Sequence, residues 1–113
     1  MSNTQWGGGG RDGMARLGRM FPTLAGAAGL EPWDPEALMR WSVSGPVTHA
    51  AAHAVAFLLN VWNSRTDWRE VAAEFAINGT GERFAFNCAE AIACWDDAHA
   101  AAFLAWCREP FHP

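Results

Sequence analysis

Residues 46–62 carry a helical pattern that is apolar almost all the way round. Val47, Ala51, Ala54, Leu58 and Val61 recur at alternating steps of four and three. Ala50, Val55, Phe57, Leu59 and Trp62 fill most of the remaining circumference, leaving His49, His53, Asn60 and Asn63 as the polar stripe. A helix with so little polar surface has to be surrounded by other elements. The pattern therefore predicts an all-α protein, a small orthogonal bundle of about four helices packed around this segment. It also predicts a single domain over 14–113, preceded by a Gly-rich arm over 1–13 that contains Gly7-Gly8-Gly9-Gly10.

The other helices have recognisable starts and stops. Leu17, Met20, Phe21 and Leu24 keep helical spacing, but Gly18 and Pro22 limit that segment to short turns. Asp34-Pro35-Glu36 combines an N-cap side chain, a proline at the first helical position and an acid near the positive end of the helix dipole. The helix it opens passes through Leu38 and Trp41 to about Val43, before Gly45-Pro46. Asp67 and Glu70 resemble a capping box ahead of Trp68, Val71, Ala72 and Phe75.

Asn78-Gly79 can end that helix, but Phe75 and Ile77 before it and Phe84 and Phe86 after it alternate as a hairpin would. The alternative fold is thus α+β with one hairpin at 74–87; the longer helical stripe favours helix and loop. Asn87 and Glu90 open a last helix over 88–108, with Ile92, Trp95, His99, Phe103 and Trp106 on one stripe. Ala91, Cys94, Ala98, Ala101 and Ala105 form a small-residue stripe, expected to pack on Ala51 and Ala54, and Asp96 is placed to recap and bend the helix. Ala54, Val55, Leu58, Trp95 and Phe103 are the expected core.

Seven tryptophans and no tyrosine must be housed in 113 residues. Each buried Trp withdraws roughly 150–250 Å² from water and needs one acceptor for its N–H. Trp is also over-represented among interface anchors. Trp95 lies mid-helix and reads as core. Trp62 and Trp68 flank the polar loop 63–67, and Trp106 precedes Pro110, so all three stand at element ends. Trp6 is the one large apolar residue in a run of glycines and polar groups, and is expected to dock in an apolar groove of this chain or of a partner. The expected partner-binding residues are therefore Trp6, Trp62, Trp68 and Trp106.

Charge and cysteine usage narrow the classes. All eight basic residues are Arg, a bias that suggests a high-GC genome, bacterial or phage. Residues 1–30 hold three Arg against one acid, whereas residues 31–113 hold five against eleven. A globular part with that excess repels a phosphate backbone, which counts against nucleic acid as a partner. A DNA-binding regulator with a helix-turn-helix at 68–87 remains an alternative, although its recognition segment would offer only Arg83 beside Glu82 and two Phe. No uninterrupted apolar run approaches the length of a membrane span. Residues 1–10 have neither the basic nor the apolar part of a secretory leader. Cys88, Cys94 and Cys107 are odd in number and are expected to be small buried hydrophobes in a reducing cytoplasm.

The chemistry-bearing groups are sparse. His49 and His53 stand one helical turn apart, the spacing that can chelate a transition metal. A metal-binding protein or enzyme would need a third ligand from His99, Asp96, Asp97, Glu74 or His112. Cys94 and His99 fall on different faces of one helix and cannot act as a nucleophile pair from there. No cofactor loop is present in the sequence: Gly7–Gly10 is followed by no Gly-Lys-Ser/Thr. The expected function is a non-enzymatic protein-binding module, an inhibitor, adaptor or regulator that contacts another protein or a second copy of itself, and no cofactor is expected.

Overall fold

A computed structural model of the chain describes residues 10–44, 47–75, 77 and 81–111. Six α-helices appear among the described residues, with no strand: α1 (Gly10–Arg19), α2 (Pro35–Val43), α3 (His49–Trp62), α4 (Trp68–Glu74), α5 (Cys88–Cys94) and α6 (Asp97–Arg108). Two 3-10 turns, Pro22–Leu24 and Gly81–Phe84, join them. The count exceeds the expected four because residues 10–19 form a helix of their own and the last expected helix divides into α5 and α6.

Helix α3 is the centre. α1, α2, α5 and both 3-10 turns pack on it. Ala51, every residue from Ala54 to Leu59, and Val61 are buried. Its first turn is closed by Thr48, whose hydroxyl accepts from the Ala51 N–H at 3.1 Å. Surrounding elements cover what the sequence pattern left apolar, and the stripe of His49, His53, Asn60 and Asn63 stays at least partly in water.

Helix α1 begins at Gly10, so residues 10–13 of the expected arm are helical and Gly13 is buried. Trp6 lies outside the described residues. Met14, Leu17, Phe21 and Leu24 are buried while Met20 is 39% exposed. The stripe is interrupted there because α1 stops at Arg19 and Pro22 starts a new turn. The Arg11 guanidinium lies 5.5 Å from the ring of Trp62 at the end of α3, and Phe21 meets Phe57 at 5.9 Å further back.

The loop after Leu24 returns the chain to α2. Gly29 takes φ +93°, and its carbonyl accepts from the Asp34 N–H at 2.8 Å. Asp34 then caps α2 through the Ala37 N–H. Trp33, just before, is fully buried, and its indole N–H finds no acceptor among the described residues.

Among the described residues of 74–87 there is no strand, and the hairpin alternative is not seen there. α4 is capped by Asp67, ends at Glu74, and is followed by the Gly81–Phe84 turn. Ile77 and Phe84 are buried as loop anchors while Phe75 is exposed, so the alternation that resembled a strand has no sheet face behind it.

The last expected helix divides at Trp95–Asp96. Asp96 recaps the chain by accepting from the His99 N–H at 2.9 Å, and the Trp95 indole donates to the Ala50 carbonyl at 3.0 Å, pinning the joint to α3. Two expectations for this segment are corrected. Of the small-residue stripe, Ala91 is buried, whereas Cys94, Ala98 and Ala101 are exposed. The inward face runs from Ala91 through Trp95 to His99 and Ala102, in steps of four, four and three, and the small-residue stripe lies beside it. The three cysteines are exposed rather than buried, because none of them falls on that inward face. Phe103 is half-buried and packs against the core. Among the described residues no helix is long and apolar enough to cross a membrane.

Candidate functional site: an apolar groove beside Trp106

Phe57, Asn60 and Val61 follow one another at i, i+3 and i+4, so they line a single face near the end of α3, and Ser64 lies just beyond it. Phe103, Trp106 and Cys107 form the matching edge of α6 at the same spacing. Between these edges lies an open cavity of about 240 Å³, closed on one side by Phe86. Phe57 forms its floor and touches every aromatic wall: ring centroids stand 5.3 Å from Phe86, 5.2 Å from Phe103 and 5.7 Å from Trp106. The Trp106 indole donates to the Phe111 carbonyl at 3.3 Å, so the segment after α6 folds back against the groove wall.

Polar groups at the groove are few and placed at its rim. Asn60 donates through Nδ2 to the Ala56 carbonyl at 2.8 Å. Cys107 brings a thiol whose pKa is raised, first by burial and then by the neighbouring Cys88. The thiol is therefore the neutral, apolar form near neutral pH.

Of the four expected tryptophans, Trp6 lies outside the described residues, and the structure distributes the other three unevenly. Trp106 lines the groove. Trp62 is half-buried on the adjacent face of α3, packed 5.7 Å from Trp33 and covered by Arg11. Trp68 is buried, and its N–H donates to the Asn63 carbonyl at 3.2 Å, so it belongs to the core. Its position at a helix start did not expose it, because the loop 63–67 folds over the ring. Phe57, Phe86 and Phe103 were missed as wall residues. Their alternating or stripe positions read as core, and only the gap between α3 and α6 leaves one side of each open.

The other candidate chemistry is dispersed. His49 is exposed and His53 half-buried on the outer stripe of α3. Asp97 and Glu74 are exposed on other elements, and His112 lies outside the described residues. Among the described residues no group of three His, Cys, Asp or Glu side chains gathers where a metal ion could be held. The segment expected to supply a recognition helix forms one 3-10 turn, and Arg83 donates to the Ser42 carbonyl at 3.0 Å, within its own chain.

His99 is occupied instead in a chain that the sequence does not reveal. Its Nδ1 lies 2.7 Å from Asp96 Oδ1, and its Nε2 lies 2.7 Å from Thr23 Oγ1, 76 residues away. A carboxylate only accepts, so Nδ1 carries the proton, and in the neutral ring Nε2 accepts from the Thr23 hydroxyl. The order of groups resembles a nucleophile, base and orienting acid. The burial is reversed, however. The imidazole is sealed at 2% exposure between Phe21 and Trp95 while the carboxylate is in water. The chain therefore serves as a latch between the Pro22–Leu24 turn and the start of α6.

Hydrogen bonds from the backbone and ring of His99 hold the Asp96 carboxyl below its ordinary pKa. A carboxyl whose pKa is lower in the folded chain stabilises it above the ordinary carboxylate range, and that contribution is lost as pH falls through the lowered value. Urea midpoints at about pH 5 and about pH 3 are expected to separate more in the parent than in Asp96→Asn. An equal separation in both would remove Asp96 from the acid response.

In comparisons with protein-family models, curated proteins and solved structures, this chain matches none.

Proposed function

We propose that this protein is a non-enzymatic protein-binding module, a cytoplasmic inhibitor, adaptor or regulator of bacterial or phage origin. Its small orthogonal bundle offers the groove between α3 and α6 to one apolar anchor side chain of another protein. The observation that carries this reading is the groove itself, walled by Phe57, Phe86, Phe103 and Trp106 yet open to solvent. Its 240 Å³ is below the roughly 300–1,000 Å³ of typical small-molecule sites, a size suited to a single anchor. Interface energy concentrates in such aromatic pockets.

Affinity capture from the source cell at moderate salt, run in parallel with the parent chain and Trp106→Ala, tests this. Trp106 is half-buried at a helix end, so the variant is expected to fold, as circular dichroism would verify. The expected result is a species retained by the parent and weakened about thirtyfold in the variant, the equivalent of roughly 2 kcal/mol. Identical retention by a folded Trp106→Ala chain would remove the groove from the function.

A further inference from the structure

We infer that the solvent face of α6 is a contact between two copies of this chain, paired antiparallel across a two-fold axis. The inference is independent of the groove, whose edge at Phe103 and Trp106 lies on the other side of the same helix.

Exposure and spacing mark the face. Of the twelve residues of α6, only His99 and Ala102 are buried. Asp97, Ala101, Leu104 and Arg108 are all exposed, and Leu104, at 46%, is a large apolar side chain left in water. These four recur at steps of four, three and four, the spacing of a coiled-coil seam. At about 100° per residue they fall within about 60° of one another, opposite His99. Ala98 and Ala105 border the seam with small, uncharged side chains. A second helix can therefore approach to about 8 Å between axes, the short end of the usual range.

The order of groups along the seam selects the occupant. It reads acid, small, large, base. A second copy turned end for end presents base, large, small, acid. Asp97 then meets Arg108 of the second copy and Ala101 meets its Leu104, and the two-fold axis makes each contact occur twice. Leu104 fills the space that Ala101 leaves open. A parallel pair would instead set Asp97 against Asp97 and Arg108 against Arg108. Neither Asp97 nor Arg108 makes an ion pair among the described residues. Asp96 is off the seam and engaged with His99, and Glu109 lies past the last turn. An acid in the first turn and a base in the last also suit the dipole of a lone helix. That accounts for neither the exposed Leu104 nor the four-three-four spacing.

Size sets the strength. A helix of this length spans about 18 Å. One such pair buries less than the roughly 1,200–2,000 Å² of a stable complex. The dimer is therefore weak and reversible. Burial of Ala101 and Leu104 supplies attraction, and the charge pairs fix the direction.

Sedimentation velocity of the full-length chain across about 0.01–1 mM, where weak complexes dissociate, tests this. The parent is expected to pass from monomer to dimer. Asp97→Arg places like charges together on both sides of the axis and is expected to weaken association about tenfold. Arg108→Asp is expected to do the same. Combining Asp97→Arg with Arg108→Asp restores opposite charges across the axis, and is expected to recover affinity to within about threefold of the parent. Leu104→Ser leaves both charges in place, so it serves even if a charge exchange frays α6. It is expected to be monomeric where the parent is dimeric, with circular dichroism verifying the fold of each variant. A parent that stays monomeric to about 1 mM would overturn the inference. So would association that both single exchanges and Leu104→Ser leave unchanged, or a loss that the folded double variant does not recover. A loss in Trp106→Ala with none in Asp97→Arg would move the contact to the groove and overturn the seam.

Discussion

Replacing Phe57 by alanine is expected to destabilise the fold by about 3–5 kcal/mol, the range for removing a buried aromatic side chain. Phe57 lies on α3 with 3% exposure. Its ring meets Phe21 at 5.9 Å, Trp95 at 6.4 Å, Phe86 at 5.3 Å, Phe103 at 5.2 Å and Trp106 at 5.7 Å. Five rings from four different segments therefore lose a common neighbour. Aromatic pairs add about 0.5–1.5 kcal/mol each beyond the burial of their area, although pairs sharing one ring do not sum. Alanine is the better helix former, so local propensity acts in the opposite direction and does not explain a loss. Equilibrium urea unfolding with a constant m-value would measure the change. Phe57→Leu keeps most of the volume and is expected to cost less than about 2 kcal/mol. A loss below about 1 kcal/mol in the alanine variant would mean that Phe57 is not the junction of the core.

Gly29→Ala is expected to cost about 2–5 kcal/mol, a large effect for one added methyl group. Gly29 has φ +93°, where a β-carbon carries a conformational penalty of roughly 1–2 kcal/mol. The new carbon would also sit 2.5 Å from the Leu38 nitrogen and 2.6 Å from the Asp34 carbonyl oxygen. Both are backbone atoms of the capped first turn of α2, so they cannot rotate away. The turn has to shift, at the further 1–3 kcal/mol typical of overpacking. Gly26 provides the comparison. It has φ +78° but nothing within 4 Å of an added β-carbon. Gly26→Ala is expected to cost only the conformational part, about 1–2 kcal/mol. Thermal or urea unfolding of the two variants would separate strain from collision, and equal losses would show that the approach of α2 to Gly29 does not matter to stability.

The legible parts of this protein were those governed by neighbours in the chain. Asp34, Asp67, Asn87 and Asp96 all cap helices through side chains that bond amides two or three residues ahead. That geometry needs nothing beyond the local backbone. The centrality of α3 was legible too, because an apolar circumference has one physical solution, which is to be covered on all sides. The site was less so. Trp106 was recognisable from its place near a helix end, but the same rule assigned Trp68 to the surface, and the fold of the loop 63–67 buries it.

The sequence by itself determined the helical class, the helix starts and the identity of the central helix, since these depend on periodicity and on contacts within a turn. The tertiary structure alone decided three things. The packing of α5 and α6 put Ala91, Trp95, His99 and Ala102 inward and left the cysteines exposed. Thr23 met His99 across the whole domain. The ends of α3 and α6 were left far enough apart for Phe57, Phe86, Phe103 and Trp106 to wall an open groove. Each of these rests on residues distant in the chain. The apolar pattern says that a side chain must leave water, but many partners satisfy that demand equally, and only the packed arrangement of helices selects among them.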